Sequence, residues 1–354
     1  MNRRAWIGFV VGLALAGIAA FALHHYLASA GGGARESALA LIPADTNSVV
    51  FADIAQLRVA PFFSELHDWV PQPQQLDAEY AKFLHDTGFD YERDLDRVAI
   101  ATIKRGQTTE FFAVGDGRFD RKKINTYVSE FGTHDKKDGR EIFTAPLKGS
   151  TRKISFALLH QNRIVLTDDP DLASLLRNPA RGRDGDEWRE RFDRLGGSPV
   201  FAVFRQDASV GSEIAARTAN GGQAQQLASL LNQLQWITLA GVPEQNRMRV
   251  VAEGECPNDG TARDLADVLN GIRVFAQAGL NDPKVRHQLD DQTREAYIDL
   301  VRSADIARLD RGEVKSVRLV LEITPDVLKT TRLSPAAPVP QPSHQQEAPT
   351  KQKK

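Results

Sequence analysis

An uncharged apolar run near the N-terminus constrains this chain more than any other feature of its sequence. The run, WIGFVVGLALAGIAAFAL, extends from Trp6 to Leu23 and follows Arg3 and Arg4. As a helix it would be about 27 Å long at about 1.5 Å per residue, close to the roughly 30 Å hydrocarbon core of a bilayer. We therefore predict a transmembrane helix or signal segment at residues 6–27, after a cytoplasmic basic end at residues 1–5.

The charges on either side of this run predict the orientation of the chain. Arg3 and Arg4 precede it, whereas Arg35 stands beside Glu36 after it. Positively charged flanks stay in the cytoplasm, so we predict a single-pass protein of the cell inner membrane with its C-terminal body in the periplasm. A cleaved secretory signal is the alternative, because Ala28-Ser29-Ala30 resembles a small-residue cleavage site. Either alternative predicts an exported body.

The composition of the chain argues against a nucleic-acid partner and against stabilisation by a disulfide or a cysteine-bound metal. The chain has 354 residues, and 45 basic against 46 acidic side chains give a net charge of -1. A balanced charge does not provide the positive field that nucleic-acid binding needs, so we expect no nucleic-acid partner. The single cysteine, Cys256, can form no internal disulfide and no paired-cysteine metal site, so we interpret it as a small residue packed after a strand.

The order of apolar segments predicts an α+β fold. Strand, helix, hairpin and helix patterns occur twice, which predicts two similar strand-helix-hairpin-helix units with mainly antiparallel sheets, following the N-terminal transmembrane helix. The segments around and between these units are polar. The predicted organisation is a flexible tether at 28–39, a first unit at 40–180, a charged connector at 181–197, a second unit at 198–333 and a disordered Pro/Gln/Lys tail at 334–354.

A glycine- and aspartate-rich stretch, FFAVGDGRFD, follows one predicted strand and raises the question of a ligand loop. The corresponding stretch VVAEGECPND in the second half has the same layout. Asp120 and Asp259 both stand where a helix N-cap belongs. The stretch lacks the oxygen ligands of a calcium loop and the further glycine of a dinucleotide fingerprint. We interpret it as a turn and expect replacement of Asp116 to have almost no effect on stability.

We interpret the other polar clusters as charged surfaces and not as metal-binding or catalytic sites. His287 and Asp291 are four residues apart on a predicted helix, but basic and acidic neighbours favour a solvated face over a metal site. The carboxylates of FDYERDLDRV alternate with arginines, which favours a charged approach to a strand over paired acid catalysis. These carboxylates are Asp90, Glu92, Asp94 and Asp96. The sequence therefore predicts no catalytic, cofactor-binding or metal-binding residue, and no cofactor.

Three segments carry a resemblance to known proteins: LIPADTNSVVFADI, TGFDYERDLDRVAIA and FFAVGDGRFDRKKINTYV. They resemble a loose group of uncharacterised bacterial proteins that have an N-terminal membrane segment and an exported, duplicated α/β body. The resemblance covers about the first half of the body. It implies a location in the bacterial envelope, and it implies no activity and no functional residue.

Two classes of function are compatible with these features. The preferred hypothesis is a membrane-anchored envelope protein whose exported body binds a partner protein, a polymer or a small ligand without catalysis. The alternative is an extracytoplasmic hydrolase whose site is assembled from residues distant in the sequence. A passive spacer whose tail at 334–354 recruits a partner is a third possibility.

Overall fold

The structure, a computed structural model, describes eight stretches of the chain. They are residues 35–65, 78–106, 108–130, 132–146, 152–177, 183–206, 222–283 and 289–331. The predicted membrane segment at 6–27 and the predicted tail at 334–354 lie outside them. Within these stretches, no helix is both long enough and apolar enough to cross a membrane.

Twelve strands form one antiparallel sheet in the described residues. The strands are β1 (Thr46–Asp53), β2 (Leu95–Arg105), β3 (Thr108–Gly117), β4 (Thr133–Lys137), β5 (Arg140–Pro146), β6 (Lys153–His160), β7 (Arg163–Thr167), β8 (Val200–Arg205), β9 (Trp236–Glu244), β10 (Arg247–Cys256), β11 (Asp305–Arg311) and β12 (Val314–Ile323). Their order across the sheet is β11-β12-β10-β9-β8-β1-β2-β3-β7-β6-β5-β4.

The predicted fold class, two similar units each with a sheet of its own, was wrong. Strands β1 and β8, which open the two predicted units, pair with each other, and Val50 lies opposite Ala202. An unpaired first strand would leave a row of backbone donors and acceptors open at each sheet edge. Their pairing joins the two halves into one continuous sheet. From this junction, β2 and β3 follow β1 outward, and β9 and β10 follow β8.

Twelve helices accompany the sheet in the described residues. They are α1 (35–39), α2 (Ile54–Arg58), α3 (Pro61–Ser64), α4 (Ala78–Thr87), α5 (Tyr91–Asp94), α6 (Arg121–Ser129), α7 (Leu172–Arg177), α8 (Arg183–Arg194), α9 (Gly222–Leu231), α10 (Asp259–Asn281), α11 (Asp291–Ser303) and α12 (Pro325–Thr331).

One face of the sheet carries the main core. Alternate residues of the central strands, including Phe51 and Phe201, are buried there against α1, α7 and α8. The segment interpreted as a charged connector contributes to this core, because it holds α8. Trp188 and Phe192 of α8 are buried, and the ring of Trp188 meets the ring of Trp236 edge-on at a centroid distance of 4.9 Å. Apolar residues spaced four apart among charged ones place one buried stripe on α8.

Candidate binding surface

The opposite face of the sheet has an apolar centre, which we call the central floor. It consists of three residues from each of five adjacent strands, and residues directly opposite one another in an antiparallel pair share a face. The fifteen residues are Ile237, Leu239 and Gly241 of β9, Val200, Ala202 and Phe204 of β8, Ser48, Val50 and Ala52 of β1, Val98, Ile100 and Thr102 of β2, and Phe111, Ala113 and Gly115 of β3.

The central floor contains no charged side chain. Its only polar side chains are those of Ser48 and Thr102, whose hydroxyl oxygens are 2.6 Å apart and hydrogen-bond each other. These hydroxyls therefore already have a partner within the floor. Because the five strands are paired on both sides, their backbone groups are also engaged in the sheet. The floor therefore offers a partner apolar surface and little unused hydrogen bonding.

The middle of the floor is accessible to solvent. Leu239, Val50 and Ile100 are 36%, 39% and 40% exposed, whereas Val49 and Ala99, which face the other side of the sheet beside them, are 0% exposed. Exposed apolar residues are ordinary when scattered singly, but a contiguous apolar surface marks an interaction site. These three residues lie in one row across β9, β8, β1 and β2, in which the small side chain of Ala202, 8% exposed, stands between Leu239 and Val50.

Helices cover the same face of the sheet on both sides of the floor. Towards β5 and β6, Ile124 and Val128 of α6 pack on Phe143 and Phe156. Towards β10 and β12, residues of α9 and α10 pack around Val317 in a second cluster. Phe62 of α3 packs on Met248 of β10. The floor is therefore a broad groove with a sheet at its base and helices along its sides.

The predicted turn at Gly115-Asp116-Gly117 is instead the end of strand β3. Gly117 donates its backbone hydrogen bond to the carbonyl oxygen of Asn162 at 2.9 Å. A Cβ atom at Gly117 would lie 2.4 Å from the carbonyl oxygen of Asp94, so only glycine lets the chain pass at this distance. The glycines of this stretch serve close packing of strands and do not form a ligand loop.

The expectation that replacing Asp116 has almost no effect does not fit its surroundings. Its carboxylate is 4% exposed and accepts hydrogen bonds from Nε and Nη2 of Arg163 at 2.6 and 2.8 Å. Arg163 also donates to the hydroxyl and carbonyl oxygens of Ser37 at 2.6 and 3.1 Å. The pair therefore ties α1 to the sheet and has a structural role.

The predicted N-cap at Asp120 is confirmed, because its carboxylate accepts a hydrogen bond from the backbone nitrogen of Lys123 at 3.1 Å. The predicted N-cap at Asp259 was wrong by one residue. Asn258 caps α10 through the backbone nitrogen of Thr261 at 2.9 Å, and Asp259 is the first helical residue. Asparagine and aspartate cap equally well, so the sequence could not distinguish the two positions.

The remaining polar candidates lie apart from the floor. Asp90 caps α5, Asp94 pairs with Arg93 and Arg118, and Asp96 lies 4.0 Å from Arg58. Hydrogen bonding to Arg93, against a smaller effect of burial, lowers the pKa of Asp94. The carboxylates alternating with arginines thus hold one corner of the fold together.

Two further candidates were the histidine–aspartate spacing and the lone cysteine. His287 lies outside the described residues, whereas Asp291 opens α11. Cys256 is buried at the end of β10, and burial raises the pKa of its thiol to about 11. The described stretches contain no group of three or more side chains that could hold a metal ion.

Sequence reasoning did not find the central floor. The sequence did contain a signal for the floor. Apolar residues occupy consecutive positions, and not only alternate ones, in SVVFAD, RVAIAT and VFAVF. Such runs are typical of strands with apolar residues on both faces. The face that is exposed depends on where the helices pack, and this is a property of the tertiary structure.

Comparisons with known proteins add little to this geometry. No protein-family model matches the chain, and no curated protein matches it. Crystal form III of TP0453 aligns at 13% identity and a TM-score of 0.45, covering 83% of this chain and 96% of that one. Crystal form IV of TP0453 aligns at 13% identity and a TM-score of 0.43, covering 84% and 96%. This likeness is too distant to support an argument about function.

Proposed function

We propose that this chain is a single-pass, membrane-anchored envelope protein whose exported body binds a partner on the central floor without catalysis. The observation that carries the binding role is the uncharged floor, with Val50, Ile100 and Leu239 each more than one third exposed. The apolar run from Trp6 to Leu23 supports the anchor, and Arg3 and Arg4 before it support the periplasmic location of the body.

The partner that fits this floor best is an amphipathic helix of another envelope protein. Small ligands favour enclosed clefts, and neither cavity near α6 is lined by a floor residue. An added strand needs a free sheet edge, whereas the floor strands are paired on both sides. Five strands spaced about 4.8 Å apart give a base roughly 19 Å wide, which accommodates a helix of about 10–12 Å.

Site-specific photo-crosslinking in intact cells tests the partner. A photoreactive residue at Ile100 should capture a partner peptide that maps to an amphipathic helix, and Val50→Asp in the same chain should abolish that capture. Ser129→Asp, which adds the same charge on the exposed face of α6, should leave it intact. Capture that survives Val50→Asp, or crosslinks that map to lipid or to a segment without an apolar helical face, would contradict the proposal.

Protease accessibility tests the anchor and its orientation. Protease added after permeabilisation of the outer envelope should digest the body while an N-terminal tag stays protected, and the intact chain should stay with the membrane after an alkaline wash. A protected body would overturn the orientation. A soluble chain that begins at Gly31 would retain export and overturn the anchor alone.

A further inference from the structure

The second half of α10 carries an exposed apolar patch, which we call the helix patch. It consists of Gly271, Val274, Phe275 and Ala278, whose spacing of i, i+3, i+4 and i+7 places them on one face of the helix. Phe275 is 70% exposed and Val274 is 59% exposed, and the other two residues are exposed as well. In the described part of the chain, nothing lies within 4 Å of the Cβ position of Gly271.

The helix patch lies at the end of the sheet where β11 begins. Helix α10 starts after the last residue of β10 and runs along the sheet to this end, where Arg273 donates to the carbonyl oxygen of Ala304 at 3.1 Å. Asp305, the next residue, lies in the same row across the sheet as Phe201 of β8. The strands between them set these two residues about 19 Å apart, at about 4.8 Å per strand.

The chain enters the folded body beside Phe201. The guanidinium carbon of Arg35, the first residue of α1, lies 4.6 Å from the centre of the Phe201 ring. Only residues 28–34 separate Arg35 from the predicted membrane segment, and a chain of this length reaches at most about 25 Å. A retained anchor therefore holds Arg35 within about 25 Å of the membrane, a distance comparable to the span from Phe201 to Asp305.

A membrane surface fits the helix patch better than a second copy of the chain does. Residues 271–278 cover about 12 Å of helix, which provides much less than the roughly 800 Å² that each partner contributes to a stable interface. A bilayer does not need so large an area, because the anchor already holds the body close to it at a high effective concentration. Aromatic and aliphatic side chains on one face of a helix enter the boundary between headgroups and acyl chains.

Acidic residues limit how deeply α10 can enter a bilayer. Asp264 and Asp267 are exposed on the same face of the helix, on the turns before the helix patch, and Asp282 follows the last helical residue. Carboxylates are costly within the apolar region of a bilayer, and anionic lipids repel them. The contact is therefore shallow and confined to the turns that hold Val274 and Phe275.

We propose that the helix patch rests on the periplasmic surface of the inner membrane, with Val274 and Phe275 among the lipid headgroups. The proposal rests on the retained anchor proposed above and involves no residue of the central floor. The tether beside Phe201 and the helix patch on α10 would be two separate points of attachment. Together they restrict the orientation of the body relative to the membrane.

Photo-crosslinking of the full-length chain in vesicles of phosphatidylethanolamine and phosphatidylglycerol tests this contact. A photoreactive residue at Phe275 should form phospholipid adducts, which mass spectrometry detects. Asp264 is the matched control position, because it is exposed on the same face of α10, about three helical turns or about 16 Å before Phe275. The yield of phospholipid adducts at Asp264 should be several-fold lower.

Two substitutions of Val274 test whether the apolar surface drives the contact. In the chain with the photoreactive residue at Phe275, Val274→Asp should lower the adduct yield several-fold, because it places a charge at the lipid contact. Val274→Ala keeps the position uncharged and should change the yield little. Val274 is mostly exposed, so we expect neither change to disturb the fold.

An alkaline wash of the same vesicles separates this proposal from that of the anchor. A chain that stays with the vesicles but gives equal yields at Phe275 and Asp264 would overturn the docking and leave the anchor intact. An undiminished yield in Val274→Asp, or crosslinks to a second copy of the chain in place of lipid, would overturn the docking too. A chain released by the wash would overturn the anchor and the docking together.

Discussion

Asp116 and Arg163 lie directly opposite each other on β3 and β7 and form a buried ion pair with two hydrogen bonds. Both residues are less than one tenth exposed. Removing one member of such a pair leaves an unpaired buried charge, so the pair constrains the fold even where its net contribution is small.

Asp116→Ala should therefore lower the free energy of unfolding of the full-length chain by about 3–5 kcal/mol, as for other broken buried pairs. Asp120→Ala, which removes only a helix cap, should lower it by about 1 kcal/mol. Urea unfolding measures both values. The double variant Asp116→Leu with Arg163→Met should recover much of the loss, since no buried charge remains. A loss at Asp116 no larger than that at Asp120 would contradict this account.

Replacing each of two isoleucines of β2 tests which face of the sheet is exposed to solvent. Ile103 is 0% exposed in the main core, whereas Ile100 is 40% exposed on the central floor. Ile103→Ala should cost about 2–5 kcal/mol, because it leaves a cavity in a packed core. Ile100→Ala should cost well under half of that, since its side chain is only partly removed from water. Similar losses in chemical denaturation would mean that the floor is covered.

Gly117 should not tolerate a side chain. An alanine Cβ there would overlap the backbone oxygen of Asp94, and backbone cannot move aside as a flexible side chain can. We expect Gly117→Ala to lower the melting temperature strongly. Gly279→Ala in α10 is the matched control, because nothing lies within 4 Å of its Cβ position. That change should be neutral or stabilising by up to about 1 kcal/mol.

Glu253 should make stability depend on acid pH. Burial alone would raise its pKa, but hydrogen bonds from Arg311 and Ser316 hold the pKa below the ordinary value of 4.5. A carboxylate whose pKa is lower in the folded state stabilises the fold above its unfolded pKa, and this stabilisation is lost as pH falls through the folded pKa.

We measure the urea concentration at the midpoint of unfolding between about pH 6 and pH 3. As the pH falls, this concentration should decrease more steeply for the natural chain than for the Glu253→Gln variant, because glutamine cannot titrate. Glu322→Gln provides a comparison, because Glu322 pairs with Arg247 at the surface, with both side chains more than two fifths exposed. It should leave the slope nearly unchanged. Equal slopes for all three chains would contradict the prediction.

The thiol of Cys256 should be unreactive in the folded chain. Its raised pKa of about 11 keeps it protonated near neutral pH, and it is buried at the end of β10. The thiolate is the reactive form, so a chromogenic disulfide reagent should react at pH 8 only after urea is added. Rapid reaction without urea would indicate that the end of β10 opens readily.

The sequence by itself determined the apolar N-terminal run, the mixture of helices with mainly antiparallel strands, and the cap at Asp120. These features depend on local periodicity and on residues a few positions apart, which a sequence displays directly. It also indicated that Asp90, Asp94 and Asp96 belong to a charged approach to a strand, because arginines alternate with them.

Only the tertiary structure decided that β1 and β8 pair, that Asp116 meets Arg163, and that Val50 and Ile100 face an open groove. Each of these relationships joins residues far apart in the chain or depends on which face a helix covers. Any strand with free backbone groups can pair with any other, so local pattern does not specify the partner. The physical reason is that pairing and burial are set by the packing of the whole sheet with its helices.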